Sequence, residues 1–240
     1  MNSKDLKASL KCFDFIGLFQ PVLTAYLLVT AFNIAPYFIK IESVSNFLSG
    51  FSVINVMILA GIPIFIVSLV QTRYNLLSFL PMKASTVPAQ MSLSIDILHI
   101  ANAITETIIF IVTDKVEYLP LKFVTLLIIY INAHITLAMS VTPGLSQSNM
   151  VSRRVGTGIL LVCIQFVVFI AAMVLNTLTV IDKIKSTGKY FIICAVALGV
   201  LAVASIVVRV LTYKNIRNKV RLIKVYKPKK VKKPDEYAYV

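Results

Sequence analysis

The chain has 240 residues, of which 58% are hydrophobic and only 14% are charged. So few charged side chains cannot cover the surface of an ordinary soluble domain, and the composition therefore excludes that class. The formal net charge of +14 shows that the charges present are mostly basic.

Six hydrophobic runs of about twenty residues follow one another along the chain. They fall at 16–39, 51–70, 91–112, 121–141, 157–180 and 190–212. A bilayer core is about 30 Å thick and a helix rises about 1.5 Å per residue, so each run can cross it once. Only a helix satisfies the backbone of a single span in lipid. The sequence therefore predicts an all-α membrane protein with a six-helix transmembrane domain over 16–213.

Residues 1–15 are predicted to form an amphipathic interfacial helix ahead of the first span. Lys4, Lys7 and Lys11 recur at helical spacing, and leucine and phenylalanine occupy another face. Such a helix lies in the membrane interface with its lysines among the headgroups. The alternative is that this segment simply extends the first span.

The distribution of basic residues predicts the orientation. Six spans place both termini on one side, and that side holds 18 of the 24 Lys and Arg residues. Because cytoplasmic loops carry the positive excess, we expect a multi-pass protein of the cell membrane with both termini cytosolic. Residues 214–240 form a predicted basic cytosolic tail, whose expected partner is anionic lipid. Nothing in the tail indicates a nucleic-acid-binding fold.

The segment 71–90 between the second and third spans is predicted to be a docking surface. It is moderately apolar, and Pro81 biases the residue before it away from helix. Ser85 or Thr86 could cap a new helix, with Pro88 in its first turn. A short helix lying on the cytosolic face, followed by a break, is a shape suited to contact with another protein.

Residues 76–83, Leu-Leu-Ser-Phe-Leu-Pro-Met-Lys, resemble the cytosolic loop of ABC-2 type permeases. In these membrane subunits of ATP-driven exporters, an aliphatic stretch ends in Leu-Pro and a basic residue follows shortly after. The chain is also similar to that family in its six spans, its amphipathic N-terminal segment and its cytosolic termini. It departs from the family near the start of the third span, where Asp96 or His99 stands in place of a second basic residue.

The resemblance implies two partners, a separate ATP-binding cassette ATPase and a second six-helix permease subunit in a homo- or heterodimer. The residues it assigns to ATPase docking are Tyr74, Leu77, Phe79, Leu80, Pro81 and Lys83. ATP would be bound by the partner, because the chain has no phosphate-binding loop, hydrolase elbow or metal-binding motif. We therefore expect no enzymatic activity and no catalytic, cofactor-binding or metal-binding residue. The expected activity is export of a peptide, drug-like or lipid-like substrate.

The third span carries an unusual stripe of polar residues. Asp96, His99, Asn102 and Glu106, with Ser92, cover roughly a third of the helix circumference. Ionisable groups in lipid are costly, so this stripe should face protein or water. The predicted substrate pathway or proton relay consists of Asp96, His99, Asn102 and Glu106. The alternative is that the stripe is a hydrogen-bonded packing contact. His134 in the fourth span is predicted to be an isolated interhelical hydrogen bond.

Two further functions stay open alongside the ATP-driven permease. A proton-coupled secondary transporter would use the polar stripe of the third helix without ATP. A non-transporting membrane scaffold would use the same stripe only for packing.

Overall fold

The computed structural model describes residues 19–38, 58–59, 61–66, 86–114, 116–141 and 189–225, together with scattered positions between 159 and 175. The α-helices named here are α1 (Phe19–Phe38), α2 (Thr86–Val112), α3 (Leu119–Ser140) and α4 (Lys189–Val225). A single 3₁₀ turn at Val116–Tyr118 precedes α3. Within these residues the structure is entirely helical, which confirms the predicted fold class at this level.

Three described segments are long and apolar enough to cross a membrane, namely Pro88–Val112, Val116–Ser140 and Tyr190–Lys219. They coincide with the predicted third, fourth and sixth spans, and they indicate a membrane protein. The predicted interfacial helix at 1–15 and the docking residues at 74–83 lie outside the described residues. The predicted second and fifth spans are described only in part.

Helices α2 and α3 form an antiparallel hairpin. Asp114 takes a left-handed conformation with φ 55° at its turn, which Asp tolerates better than most residues do. Helix α3 then begins with a proline in its first turn, where a missing N–H costs nothing. The hairpin places the polar stripe of α2 beside α3, so that residues early in α2 meet residues late in α3.

Helices α3 and α4 run parallel to each other and share the most extensive contact among the described helices. The Thr212 hydroxyl donates to the carbonyl of His134 at 3.1 Å, and the Lys219 ammonium donates to the carbonyl of Ala138 at 2.6 Å. Because the contacting positions follow the same order along both helices, α3 and α4 point in the same direction. We call the end of the bundle with residues 113–118 the turn end, and the opposite end, where α4 becomes basic, the basic end.

Helix α4 is longer than its predicted span. It has 37 residues, or about 55 Å of helix, and it continues to Val225, whereas the hydrophobic run ends at residue 212. The end of a hydrophobic run predicts where a span leaves the membrane. The helix itself can continue until a residue such as Gly or Pro interrupts the backbone. No Gly or Pro occurs from Tyr213 to Val225, and the next helix breaker is Pro228. The first part of the predicted basic tail is therefore a continuation of the span.

Burial along α4 divides the helix into two halves. From Tyr190 to Val203 most side chains are exposed, and Cys194 is buried. From Ser205 onward, Ser205, Thr212 and Ile216 are buried at helical spacing. The second half is therefore the part that packs along the polar face of the α2–α3 hairpin.

Candidate functional site

The polar stripe of α2 faces the protein interior. Asp96, His99, Asn102 and Glu106 are all buried. Helix periodicity puts large apolar side chains on the opposite face, and those at 97, 100, 104 and 108 are exposed. Helix α2 therefore presents isoleucines outward and its ionisable groups to the neighbouring helices, as the cost of charge in hydrocarbon requires.

Asp96 is the centre of a four-residue cluster that joins three helices. The Tyr130 hydroxyl on α3 donates to Asp96 Oδ1 at 2.7 Å, and His134 Nε2 lies 3.3 Å from the same oxygen. From α4, Arg209 Nε donates to Oδ2 at 2.8 Å, and Nη2 donates to that oxygen as well. A carboxylate offers about four acceptor positions, and these contacts fill them. We call Asp96, Tyr130, His134 and Arg209 the aspartate cluster.

The lengths of α2 and α4 suggest that the aspartate cluster would lie toward the basic end of a bilayer that these helices cross. About 24 Å of helix separates Asp96 from the last residue of α2, Val112. On α4, the residues from Tyr190 to Val208 carry no charge and span about 28 Å before Arg209. Both lengths approach the thickness of about 30 Å of the hydrocarbon core. The Arg209 side chain is 43% exposed, whereas that of Asp96 is 10% exposed.

His99 is one turn further along α2 and has a fixed tautomer when neutral. Its Nδ1 lies 2.9 Å from the carbonyl oxygen of Ile95, which can only accept, so Nδ1 carries the proton. The remaining nitrogen, Nε2, then holds the lone pair, and it has no hydrogen-bond partner in the part of the chain that the structure describes. The ring meets Tyr130 edge-on at a centroid distance of 5.3 Å. His99 thus belongs to the same neighbourhood as the aspartate cluster without bonding to Asp96.

Glu106 belongs to a second ion pair, close to the turn end. The Lys122 ammonium lies 3.3 Å from its carboxylate, and the two side chains are 15% and 4% exposed respectively. Lys122 is in the first turn of α3, so this pair links the two arms of the α2–α3 hairpin. The structure therefore separates the predicted site residues: Asp96 and His99 lie in one neighbourhood and Glu106 in another.

A groove of about 400 Å³ opens between α2, α3 and α4 beside the aspartate cluster. Its polar end is lined by Asp96, His99, Tyr130, Ser205 and Arg209. Its apolar part is lined by Ile100, Ala103, Phe123, Leu126 and Leu127. Asn102 is buried but does not line the groove.

The structure adds three residues that the sequence did not assign to the site. Arg209 is one of the 18 basic residues counted on the predicted cytosolic side, yet it pairs with Asp96. Tyr130 has no sequence signal beyond its place in an apolar run. His134 does make the predicted interhelical contact, but it is not isolated, because it shares Asp96 Oδ1 with Tyr130. Arg209 follows a long uncharged run, but an arginine among lipid headgroups would have the same position in the sequence.

No family model, curated protein or solved structure matches this chain. Among the described residues, no group of three metal-ligating side chains could hold an ion. The residues themselves, their contacts and the groove therefore carry the functional argument.

Proposed function

We propose that the chain is the membrane-spanning permease subunit of an ATP-binding cassette exporter. A separate ATPase subunit would supply the energy, and a second six-helix subunit would complete the pathway. The observation that carries the proposal is that both carboxylates on the polar face of α2 are engaged by cations, Asp96 by Arg209 and Glu106 by Lys122. Because both carboxylates are paired, this face of α2 is not expected to supply energy by proton transfer, and the energy for transport would come from a partner.

The same ion pairs disfavour a proton-coupled carrier. Such a carrier needs a side chain, a carboxylate or an imidazole, that gains and loses a proton during each cycle. Protonating Asp96 would forfeit its charge-assisted bonds to Arg209 and leave that guanidinium uncompensated. The relay interpretation is therefore the weaker one for Asp96 and Glu106. Asp96 and His99 line the groove, and they are still proposed to form part of a substrate pathway.

The parallel arrangement of α3 and α4 supports six spans. If both helices cross the membrane in the same direction, the chain between residues 141 and 189 must cross it an odd number of times. The hydrophobic run at 157–180 supplies one crossing. With one crossing there, the directions of α2, α3 and α4 fit the predicted third, fourth and sixth spans. The excess of basic residues then favours a cytosolic position for both termini.

The ATPase partner rests on the resemblance of residues 76–83 to the ABC-2 permease loop. Residues 76–83 precede α2 in the chain, and α2 begins at Thr86 with Pro88 in its first turn. An ATPase bound to these residues would therefore act close to the start of the helix that carries Asp96. The basic extension of α4 beyond residue 212 is proposed to contact anionic lipid at the same face.

Isolation of the tagged protein from its native membrane tests the proposal. We expect an ATPase with a phosphate-binding loop to copurify. Replacing Leu77 and Phe79 with Asp should abolish this association while membrane insertion continues, since neither residue is needed in a span. A matched control replaces Tyr237 and Tyr239 with Asp, and it should leave the association intact. Full association and transport in the loop variant would contradict the proposal, and isolation without any ATPase would favour the scaffold.

The orientation has its own test. Single cysteines introduced at Lys115 and Lys183, in a chain whose native cysteines are replaced, should react on whole cells with a membrane-impermeant reagent. A cysteine placed after Lys214 should react only after the cells are opened. Reaction of the tail cysteine alone on whole cells would invert the topology.

A further inference from the structure

We infer that the groove between α2, α3 and α4 is a binding site for an uncharged lipid whose headgroup carries hydroxyl groups. The inference goes beyond the proposed function, because such a lipid would bind whether the chain exports it or is only stabilised by it. It rests on the direction of the groove, its charge balance and its hydrogen-bonding groups.

The direction of the groove matches that of a membrane lipid. On α2 its lining runs from Asp96 to Ala103, which is about 10 Å of helix toward the turn end. On α3 it runs from Tyr130 to Phe123 over the same length. The polar end therefore lies near the membrane edge, and the apolar part points toward the bilayer centre. Ile100 at the rim is 60% exposed, so the groove opens sideways toward lipid.

The polar end of the groove has no net charge. The Arg209 guanidinium and the Asp96 carboxylate compensate each other through two hydrogen bonds. An anionic headgroup would meet a cation that is already neutralised, and a cationic headgroup would meet a carboxylate whose acceptor positions are filled. Burying either charge without a free counter-charge is unfavourable. An uncharged headgroup avoids this cost.

The hydrogen-bonding groups that remain at this end require both a donor and an acceptor from the ligand. The Ser205 hydroxyl donates to the carbonyl of Ala202 at 2.7 Å, so its oxygen retains only acceptor capacity. Arg209 uses Nε and Nη2 on Asp96, and a guanidinium carries five N–H donors in all. The His99 ring also lines this end, with its unpartnered Nε2 buried beneath the surface of the groove. A hydroxyl group both donates and accepts, whereas an ester or ether oxygen only accepts.

The size and lining of the groove suit the hydrocarbon part of such a lipid. Its volume of about 400 Å³ falls in the usual range for small-molecule sites. Phe123, Leu126 and Leu127 supply an apolar wall on α3, and the small side chain of Ala103 leaves space on α2. A larger residue at position 103 would fill that space, which provides a direct test.

The test is competitive binding to the purified full chain in detergent micelles, measured by native mass spectrometry. The probes are monolauroylglycerol, methyl laurate and lauric acid at equal concentrations. They share one acyl chain, but only the first has an uncharged headgroup with hydroxyls. We expect it to bind roughly tenfold more strongly than either competitor, because the competitors lose at least one hydrogen bond or bring in a charge. Equal binding of methyl laurate, or preferred binding of lauric acid, would overturn the inference.

Variants locate the site. Ala103→Phe should abolish binding of monolauroylglycerol, whereas Ile104→Phe, one residue along on the exposed face, should leave it unchanged. Ser205→Ala should reduce the preference over methyl laurate and leave binding of methyl laurate unaltered. Ser205→Ala hardly changes the side-chain volume. If Ala103→Phe lowers the helix content measured by circular dichroism, Ser205→Ala is therefore the variant that tests whether the lipid binds in the groove. Retained preference in Ser205→Ala would refute the site. No ATPase is present in this assay, so its failure would leave the proposed function standing.

Discussion

The two ion pairs on α2 differ in how the chain brings their members together. Glu106 and Lys122 lie in one hairpin, and the turn at 113–118 almost fixes their approach. Asp96 and Arg209 are 113 residues apart, and they meet only when α4 has packed beside the hairpin. The first pair strengthens a contact that local geometry already makes. The second depends on the complete arrangement of three helices.

This difference suggests different roles for the two pairs. A buried ion pair adds little net stability over apolar packing, but removing one partner is costly because the other is left uncompensated. At the aspartate cluster, any displacement or rotation of α4 would separate Arg209 from Asp96, and the uncompensated carboxylate would destabilise that arrangement. We therefore expect Asp96 to select the position of α4, and Glu106 to have only a local effect.

Removal of Arg209 should give the largest effect. Arg209→Leu leaves Asp96 buried without its cation, and we expect a loss of about 3–5 kcal/mol in the free energy of unfolding. The chain has no tryptophan, so unfolding in mixed detergent micelles should be followed by circular dichroism. Lys214→Leu, which removes an exposed cation from the same helix, should change the free energy by less than about 0.5 kcal/mol. Equal effects of the two variants would mean that the cluster does not hold α4.

Neutral replacements of the two carboxylates should destabilise the protein to different extents. Asp96→Asn loses charge-assisted bonds to Arg209 and should cost about 1.5–3 kcal/mol. Glu106→Gln should cost only about 1 kcal/mol, because the long stem of Lys122 lets its ammonium reach the nearby turn end. The measurement is the same unfolding experiment. A larger loss for Glu106→Gln would reverse the assignment of roles.

The Lys219 contact should give the smallest effect. Its ammonium donates to the carbonyl of Ala138 in the last turn of α3, where a cation is favourable for the helix dipole. Lys219→Met keeps the apolar stem and should cost about 0.5–1 kcal/mol. Asn218→Met, at an exposed neighbouring position, is the control and should be nearly neutral. If the two variants are indistinguishable, this contact contributes nothing to the packing of α3 against α4.

The sequence predicted the described spans well where hydrophobicity alone decides them. The predicted third span ends at residue 112, as α2 does, and the inward orientation of its polar stripe follows from the cost of charge in lipid. The extent of α4 was not predicted, because hydropathy does not report a helix that continues into water. Arg209 was missed for a related reason. At the end of a span, an arginine that pairs inward and one that lies among headgroups have the same sequence signature.

Asp96 and Arg209 interact directly and position α4, and a double-mutant cycle measures this interaction. Asp96→Asn, Arg209→Gln and the double variant should give an interaction energy of about 1.5 kcal/mol or more, with the double variant less destabilised than the sum of the single variants. The control cycle combines Glu106→Gln with Arg209→Gln, residues that share no contact, and should be additive within about 0.5 kcal/mol. Additivity in the Asp96–Arg209 cycle as well would contradict the account.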